Sequence, residues 1–146
     1  MRIDIREAQQ VDYPTIGELI KNELAYPLVD LEKLYTRLNK MKTDVMHATV
    51  VADIGGGVAG FVGAHRGLAY NIETEYIQIL AIAVKKDLQN RGIGSRLIKW
   101  VEDYAVANNA ERIVLTSRLH RVEAHAFYES NGFIKKSYGF MKEVSR

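Results

Sequence analysis

The chain has 146 residues, enough for one domain with a full core, and its 47% hydrophobic and 26% charged residues are ordinary globular values. It carries no cysteine, which excludes disulfides, thiolate chemistry and Cys-ligated metal, and the four histidines (His47, His65, His120, His125) lack metal-ligand spacing. A net charge of +2 is too mild for a nucleic-acid binder, no apolar run approaches the roughly 18 residues of a membrane span, and Met1 to Arg6 is no signal-peptide core, so the expectation is a single cytoplasmic domain over residues 1–146.

Residues 2–6 alternate apolar and charged and predict a first strand. Asp12 reads as an N-cap with Pro14 in the first turn, opening a helix with Ile16, Leu19, Ile20 and Leu24 on one stripe. Pro27 ends or bends it, and Asp30 caps a second helix carrying Leu31, Leu34, Tyr35, Leu38 and Met41. Residues 47–53 and 58–65 flank Gly55-Gly56-Gly57 as a hairpin. From Tyr76 a dense apolar run with Ile77, Ile79, Ile82 and Val84 predicts a strand buried on both faces. It turns through Gln89-Asn90-Arg91-Gly92-Ile93-Gly94 into a helix striped by Ile93, Leu97, Ile98, Val101, Tyr104 and Ala105. Asn108-Asn109 stops that helix, residues 112–116 read as a short strand and 123–130 as a short helix ended by Asn131-Gly132. Residues 133–136 and 138–142 are expected to pair as a final two-strand element, whose Tyr138, Phe140 and Met141 suggest a homodimer edge. The order predicts an α/β (α+β) fold: a mixed, mostly antiparallel sheet with one parallel crossover at 76–116, flanked by helices.

The glycine turn decides the function class. Orphan N–H groups at a helix start, with glycines that admit a ligand closely, make an anion site. It is not a Walker A loop, because no Lys-Ser/Thr pair follows, nor a dinucleotide fingerprint, because the third glycine position is Leu97. Gln-x-x-Gly-x-Gly between strand and helix resembles the pyrophosphate loop of the GNAT N-acetyltransferases. A second stretch, Ala124-His-Ala-Phe-Tyr-Glu-Ser-Asn-Gly-Phe133, resembles that family's A-x-x-FY-x-x-x-GF signature, and the likeness covers nearly the whole chain. Arg121-Val-Glu-Ala-His-Ala-Phe-Tyr is similar to the variant in small-amine acetyltransferases of the aminoalkylphosphonate and aminoglycoside type.

That resemblance implies acetyl-CoA as co-substrate, no metal, and transfer to the primary amine of a small molecule. It further implies a splayed parallel strand pair, with backbone groups of Ile82, Ala83 and Val84 holding the pantetheine arm and one N–H as oxyanion donor. The pyrophosphate falls to Arg91, Gly92, Ile93 and Gly94, headed by Gln89, with Ser95 adding a hydroxyl. Lys85, Lys86, Arg91, Arg96 and Lys99 gather around the turn, either as a solvated rim or to attract the polyanion. Tyr128 is the candidate general acid: a phenol with pKa near 10 can protonate a thiolate whose thiol has a pKa of about 8.5. The general base is open. Gln78 occupies a position where some relatives carry glutamate, which leaves Glu75, Glu73 or His120 as candidates, Glu75 foremost, or no protein base at all. Arg118 and Arg121 either read an anionic acceptor or serve local structure. The rival readings are a peptide N-acetyltransferase and a non-catalytic acyl-CoA-binding module.

Overall fold

The computed structural model describes residues 1–145, which form two compact units, 1–115 and the segment from Thr116 onward. In the first unit five strands lie in sequence order across one sheet: β1 (Asp4–Glu7), β2 (His47–Asp53), β3 (Val58–Leu68), β4 (Glu75–Val84) and β5 (Ala110–Val114). The first three pairings are antiparallel and β4–β5 is parallel, joined by helix α3 (Ile93–Ala107). Helices α1 (Tyr13–Asn22) and α2 (Leu31–Lys42) connect β1 to β2.

Strand register sorts the core into two layers. Val51, Phe61 and Ala83 lie on one face and cluster with Tyr13, Ile16 and Leu19 of α1 and Leu34 and Leu38 of α2. The alternate residues Val62, Ile77, Ile79 and Ile82 face the other way, where α3 buries Ile93, Leu97, Ile98 and Val101. The apolar stripe expected of α2 is only half used, since Leu31 and Tyr35 stay exposed. At Gly60 on β3 a Cβ would lie 2.7 Å from the Ala83 carbonyl oxygen, so no larger residue fits without moving β4.

Asp30 caps α2 as expected, accepting the Lys33 N–H at 3.0 Å. Asp12 does something else. Its carboxylate does not cap α1 but accepts both Arg6 Nη atoms, at 2.7 and 3.0 Å, and the Gln9 N–H at 2.8 Å. It is the buried charged side chain among the described residues, and it clasps β1 to the 3-10 turn Gln10–Asp12 that leads into α1.

The second unit contains α4 (Val122–Ser130), ended by Gly132 at φ 89° with Phe133 N–H donating to the Tyr128 carbonyl. The expected final strand pair is not there: none of the described residues after Ser130 is in a strand. The reason is geometric. Segments 133–136 and 138–142 leave only Ser137 between them, and a tight hairpin needs at least two loop residues.

Candidate active site

The glycine turn is built as an opening to a helix with no cap. After the 3-10 turn Lys86–Leu88, Asn90 at φ 63° and Gly92 at φ 84° reverse the chain into α3. No side chain caps α3, and its first turn closes through Arg96 N–H to Gly92 O at 3.1 Å. The N–H groups of Ile93, Gly94 and Ser95 therefore have no acceptor in the helix and project beside exposed Arg91. A bound phosphate would supply both the missing acceptors and the negative charge that the dipole favours.

Gln89 of the motif and Arg96, two residues beyond it, each make contacts within the protein. Gln89 donates through Nε2 to Val84 O at 3.0 Å and to Glu23 Oε1 at 3.2 Å, tying the turn to the end of β4 and to the residue after α1. Arg96 reaches back to the Ile3 carbonyl at 3.1 Å.

Strand β4 carries an open edge next to this loop. Its parallel pairing with β5 stops at Gln78–Val114, so no strand of the sheet pairs with Ile79 to Val84 on that side. Lys85 N–H donates to Ala59 O, and antiparallel alternation then assigns Ala83 and Ala81 to β3 and turns Ile82 and Val84 outward. Of the three residues expected to hold a pantetheine arm, Ile82 and Val84 thus turn their backbone groups away from β3, and Ala83 turns its own toward it. The Val84 carbonyl is already taken by Gln89. A β-bulge at Leu80, opposite the Gly63–Ala64 step, marks where β4 departs from regular pairing and leaves Leu80 exposed.

Glu75 sits at the other end of the strand. Seven residues at about 3.3 Å each place it roughly 20 Å from Ile82. Its carboxylate is held by Arg66 through two hydrogen bonds of 2.8 and 2.9 Å, and that guanidinium lowers its pKa, which makes it a weak base. Glu73 contributes only its N–H, to Glu111.

Beside Gln78 the register brings residues that sequence reasoning had left scattered. Gln78 pairs with His65 on β3, and His65 with His47 on β2. The two imidazole rings lie 4.6 Å apart, and His47 Nδ1 is 3.0 Å from Asp44 Oδ2. The signal was available: strands folding symmetrically about Gly56 must bring residue 47 opposite 65. On the same face Tyr76 lies over Gly67, and a Cβ on Gly63 would meet nothing within 4 Å, so the floor beside the row is open.

In the second unit Tyr128 is buried, with its ring edge-on to Phe127 at 5.6 Å and to Phe133 at 6.0 Å. Burial raises its phenol pKa, and the positive charge of Arg121 partly opposes the shift, so the hydroxyl is protonated across the neutral range. His125 Nε2 contacts the Arg118 carbonyl at 2.9 Å. Among the described residues the buried Ser117 hydroxyl finds no hydrogen-bond partner. An orphan of this kind is costly unless something completes it.

Comparison with known proteins gives a consistent result. The profile of the acetyltransferase (GNAT) family matches residues 4–133. An aminoalkylphosphonate N-acetyltransferase of Salmonella typhimurium is 27% identical over 132 residues, covering 90% of this chain and 82% of that protein. Among solved structures, one described as a transcriptional regulator from Bacillus halodurans C-125 superposes with a TM-score of 0.87 at 25% identity, over 98% of this chain and all of that one. The acetyltransferase AAC(6')-Iy, in complex with the bisubstrate analog CoA-S-monomethyl-acetylneamine, superposes with a TM-score of 0.86 over the full length of both chains; at 14% identity it speaks for the fold alone.

Proposed function

The chain belongs to the acetyltransferase (GNAT) family, and we propose that within it this protein transfers the acetyl group of acetyl-CoA to the primary amine of a small molecule, by direct attack in a ternary complex. The observation that carries the reading is the open backbone edge of β4, at Ile82 and Val84, running into the uncapped N-terminus of α3. An amide-rich arm ending in phosphates matches both: the edge accepts it as a substitute strand, and the N–H groups of Ile93, Gly94 and Ser95 take the pyrophosphate. Gln89 positions that loop. Tyr128 donates a proton to the departing thiolate. No step calls for a metal ion.

The aminoalkylphosphonate relative favours an acceptor that pairs its amine with an anionic group, and Arg121 and Arg118 are the cations of this chain suited to read one. The test is amine-dependent release of free thiol from acetyl-CoA, across 2-aminoethylphosphonate, polyamines, aminoglycosides, amino acids and short peptides. Release with a small amine supports the proposal, and release only with peptides gives the protein-acetylating alternative. Calorimetric binding of acetyl-CoA with no release from any amine leaves the non-catalytic module, which Gln78 at the glutamate position and the structural likeness to a protein described as a regulator both favour.

A homodimer is also proposed. Residues Tyr138, Phe140 and Met141 are exposed at 82, 97 and 80% and have no strand partner. A segment with this much apolar surface is suited to pairing with a second copy. Sedimentation at micromolar concentration should show twice the chain mass, and a monomer would end the idea.

A further inference from the structure

An acceptor amine reaches the enzyme as an ammonium ion and must lose a proton before its nitrogen can attack. Under the acetyltransfer reading, on which this inference rests, the reacting carbon lies along β4 near Ile82, about 13 Å along the strand from Gln78, so the proton must reach its acceptor through water. The strands offer few groups for it. From Ile77 to Val84, β4 carries no acid or base. On β3 the ionisable residues are His65 and Arg66, and Arg66 holds Glu75. On β2 they are His47 and Asp53, and Asp53 is held by Arg6 at the far end of the strand. His65 remains, half-buried and next to Gln78, on the face whose floor is open at Gly63.

We propose that His65 is the proton acceptor of the reaction, receiving the ammonium proton through a water held by the Gln78 amide, with His47 and Asp44 as positioning residues. The chemistry of the row supports the role. An ionised Asp44 only accepts hydrogen bonds, so the 3.0 Å contact requires the proton on His47 Nδ1 and fixes that tautomer. The ring of His47 then lies against His65 as an oriented partner, while the Asp44 carboxylate behind it offsets the charge that His65 acquires. A glutamine at position 78 cannot take a proton, but it can orient the water that passes one on.

The surrounding groups are compatible. Tyr76 shares the face, turned over Gly67. Helix α1, with the ionisable Tyr13, Glu18 and Lys21, packs against Phe61 further up β3, and Lys42 at the end of α2 is tied to Gln9. In balance, the ammonium N–H bond breaks and its proton passes through the water to the free imidazole nitrogen of His65. The amine nitrogen keeps the electron pair and forms the N–C bond, the C–S bond breaks, and the thiolate takes up the second nitrogen proton by way of Tyr128. His65 returns its proton to solvent.

The test compares His65→Gln with wild type on two amines at pH 7: 2-aminoethylphosphonate, or whichever strongly basic amine the thiol-release panel identifies, and trifluoroethylamine, which is already neutral. We expect kcat/KM for the basic amine to fall by about 10²-fold. The loss should shrink to a few-fold for the neutral amine, and calorimetric affinity for acetyl-CoA should not change. The rising limb of the kcat/KM–pH profile should move to the acceptor's own pKa. Asp44→Asn should lower the rate with the basic amine only. Equal losses with both amines would reduce His65 to a structural residue, no loss would remove it, and the same pattern in His120→Gln instead would transfer the role there. A wild type that binds acetyl-CoA but acetylates no amine would overturn the acetyltransfer reading and this inference with it. A wild type that acetylates amines while His65→Gln is indifferent overturns this inference alone.

Discussion

Tyr128→Phe is expected to lower kcat for amine acetylation by about 10³-fold while leaving acetyl-CoA affinity unchanged, the range a positioned proton donor supplies. The substitution isolates the hydroxyl. The edge-on contacts with Phe127 and Phe133 belong to the ring and survive, so stability should change by no more than about 1 kcal/mol. The mechanism needs the phenol neutral, and burial keeps it so: a tyrosine whose pKa is raised holds its proton from acid through neutral pH and loses it only in strong alkali. Wild type should therefore show no falling limb from this group until above its ordinary pKa of about 10, and the variant should be slow across the whole range. Single-turnover thiol release with either protein makes the comparison independent of product release. A variant as fast as wild type would mean that the thiolate leaves unprotonated, and Tyr128 would then be a core residue of the second unit.

How far the site could be read from residues alone follows from what each residue's role depends on. The glycine turn is legible because the requirement is local: left-handed φ at Gly92 and an uncapped helix start are consequences of six consecutive residues. The β4 edge is half legible. The apolar run announces a buried strand, but which backbone groups face outward depends on the phase of the β3–β4 ladder, and only the Lys85–Ala59 bond sets it. Ala83 falls on the phase that faces β3 for that reason. Glu75 illustrates another blind spot, since its suitability as a base hinges on Arg66, nine residues away across a strand pair. The histidine row is the opposite case. Nothing in local pattern links residues 47 and 65, yet the hairpin symmetry does. The final strand pair fails on arithmetic that was already in the sequence, because a single intervening residue cannot form a two-residue turn.

The expected roles of Asp12 and Arg96 point to a wider lesson about charged residues near a functional loop. Both carry sequence signals of a familiar kind, an N-cap and a basic rim. Both fasten the start of the chain: Asp12 through Arg6, and Arg96 through the Ile3 carbonyl. Arg96 ties α3 to the residue before β1, and Gln89 with Glu23 ties the turn to the end of α1.

That arrangement makes Asp12→Asn the largest expected stability effect. Removing one partner of a buried, hydrogen-bonded ion pair costs about 3–5 kcal/mol, because the remaining charge loses its counter-ion. Arg6 keeps some solvent access, with a third of its side chain exposed, and keeps Asp53 at 3.1 Å, so we expect the lower end, about 3 kcal/mol. In a chain of this size that corresponds to a fall in Tm of about 10 °C. The pH dependence identifies the cause. Arg6 holds the Asp12 carboxyl below its ordinary pKa, so the folded state favours the ionised form. The stabilisation is fully present above the unfolded-state value near 4 and disappears as pH falls through the depressed folded value. Denaturant titrations of both proteins should show a constant gap from neutral pH down to about 5, closing progressively below 4. A gap that does not narrow at all as pH falls below 4 would mean that the amide disturbs packing rather than charge. Acetyl-CoA affinity measured well below the variant's Tm should be close to wild type, because the clasp holds α1 in place without touching the anion site, and a large loss there would show that the strain reaches the loop through Glu23 and Gln89.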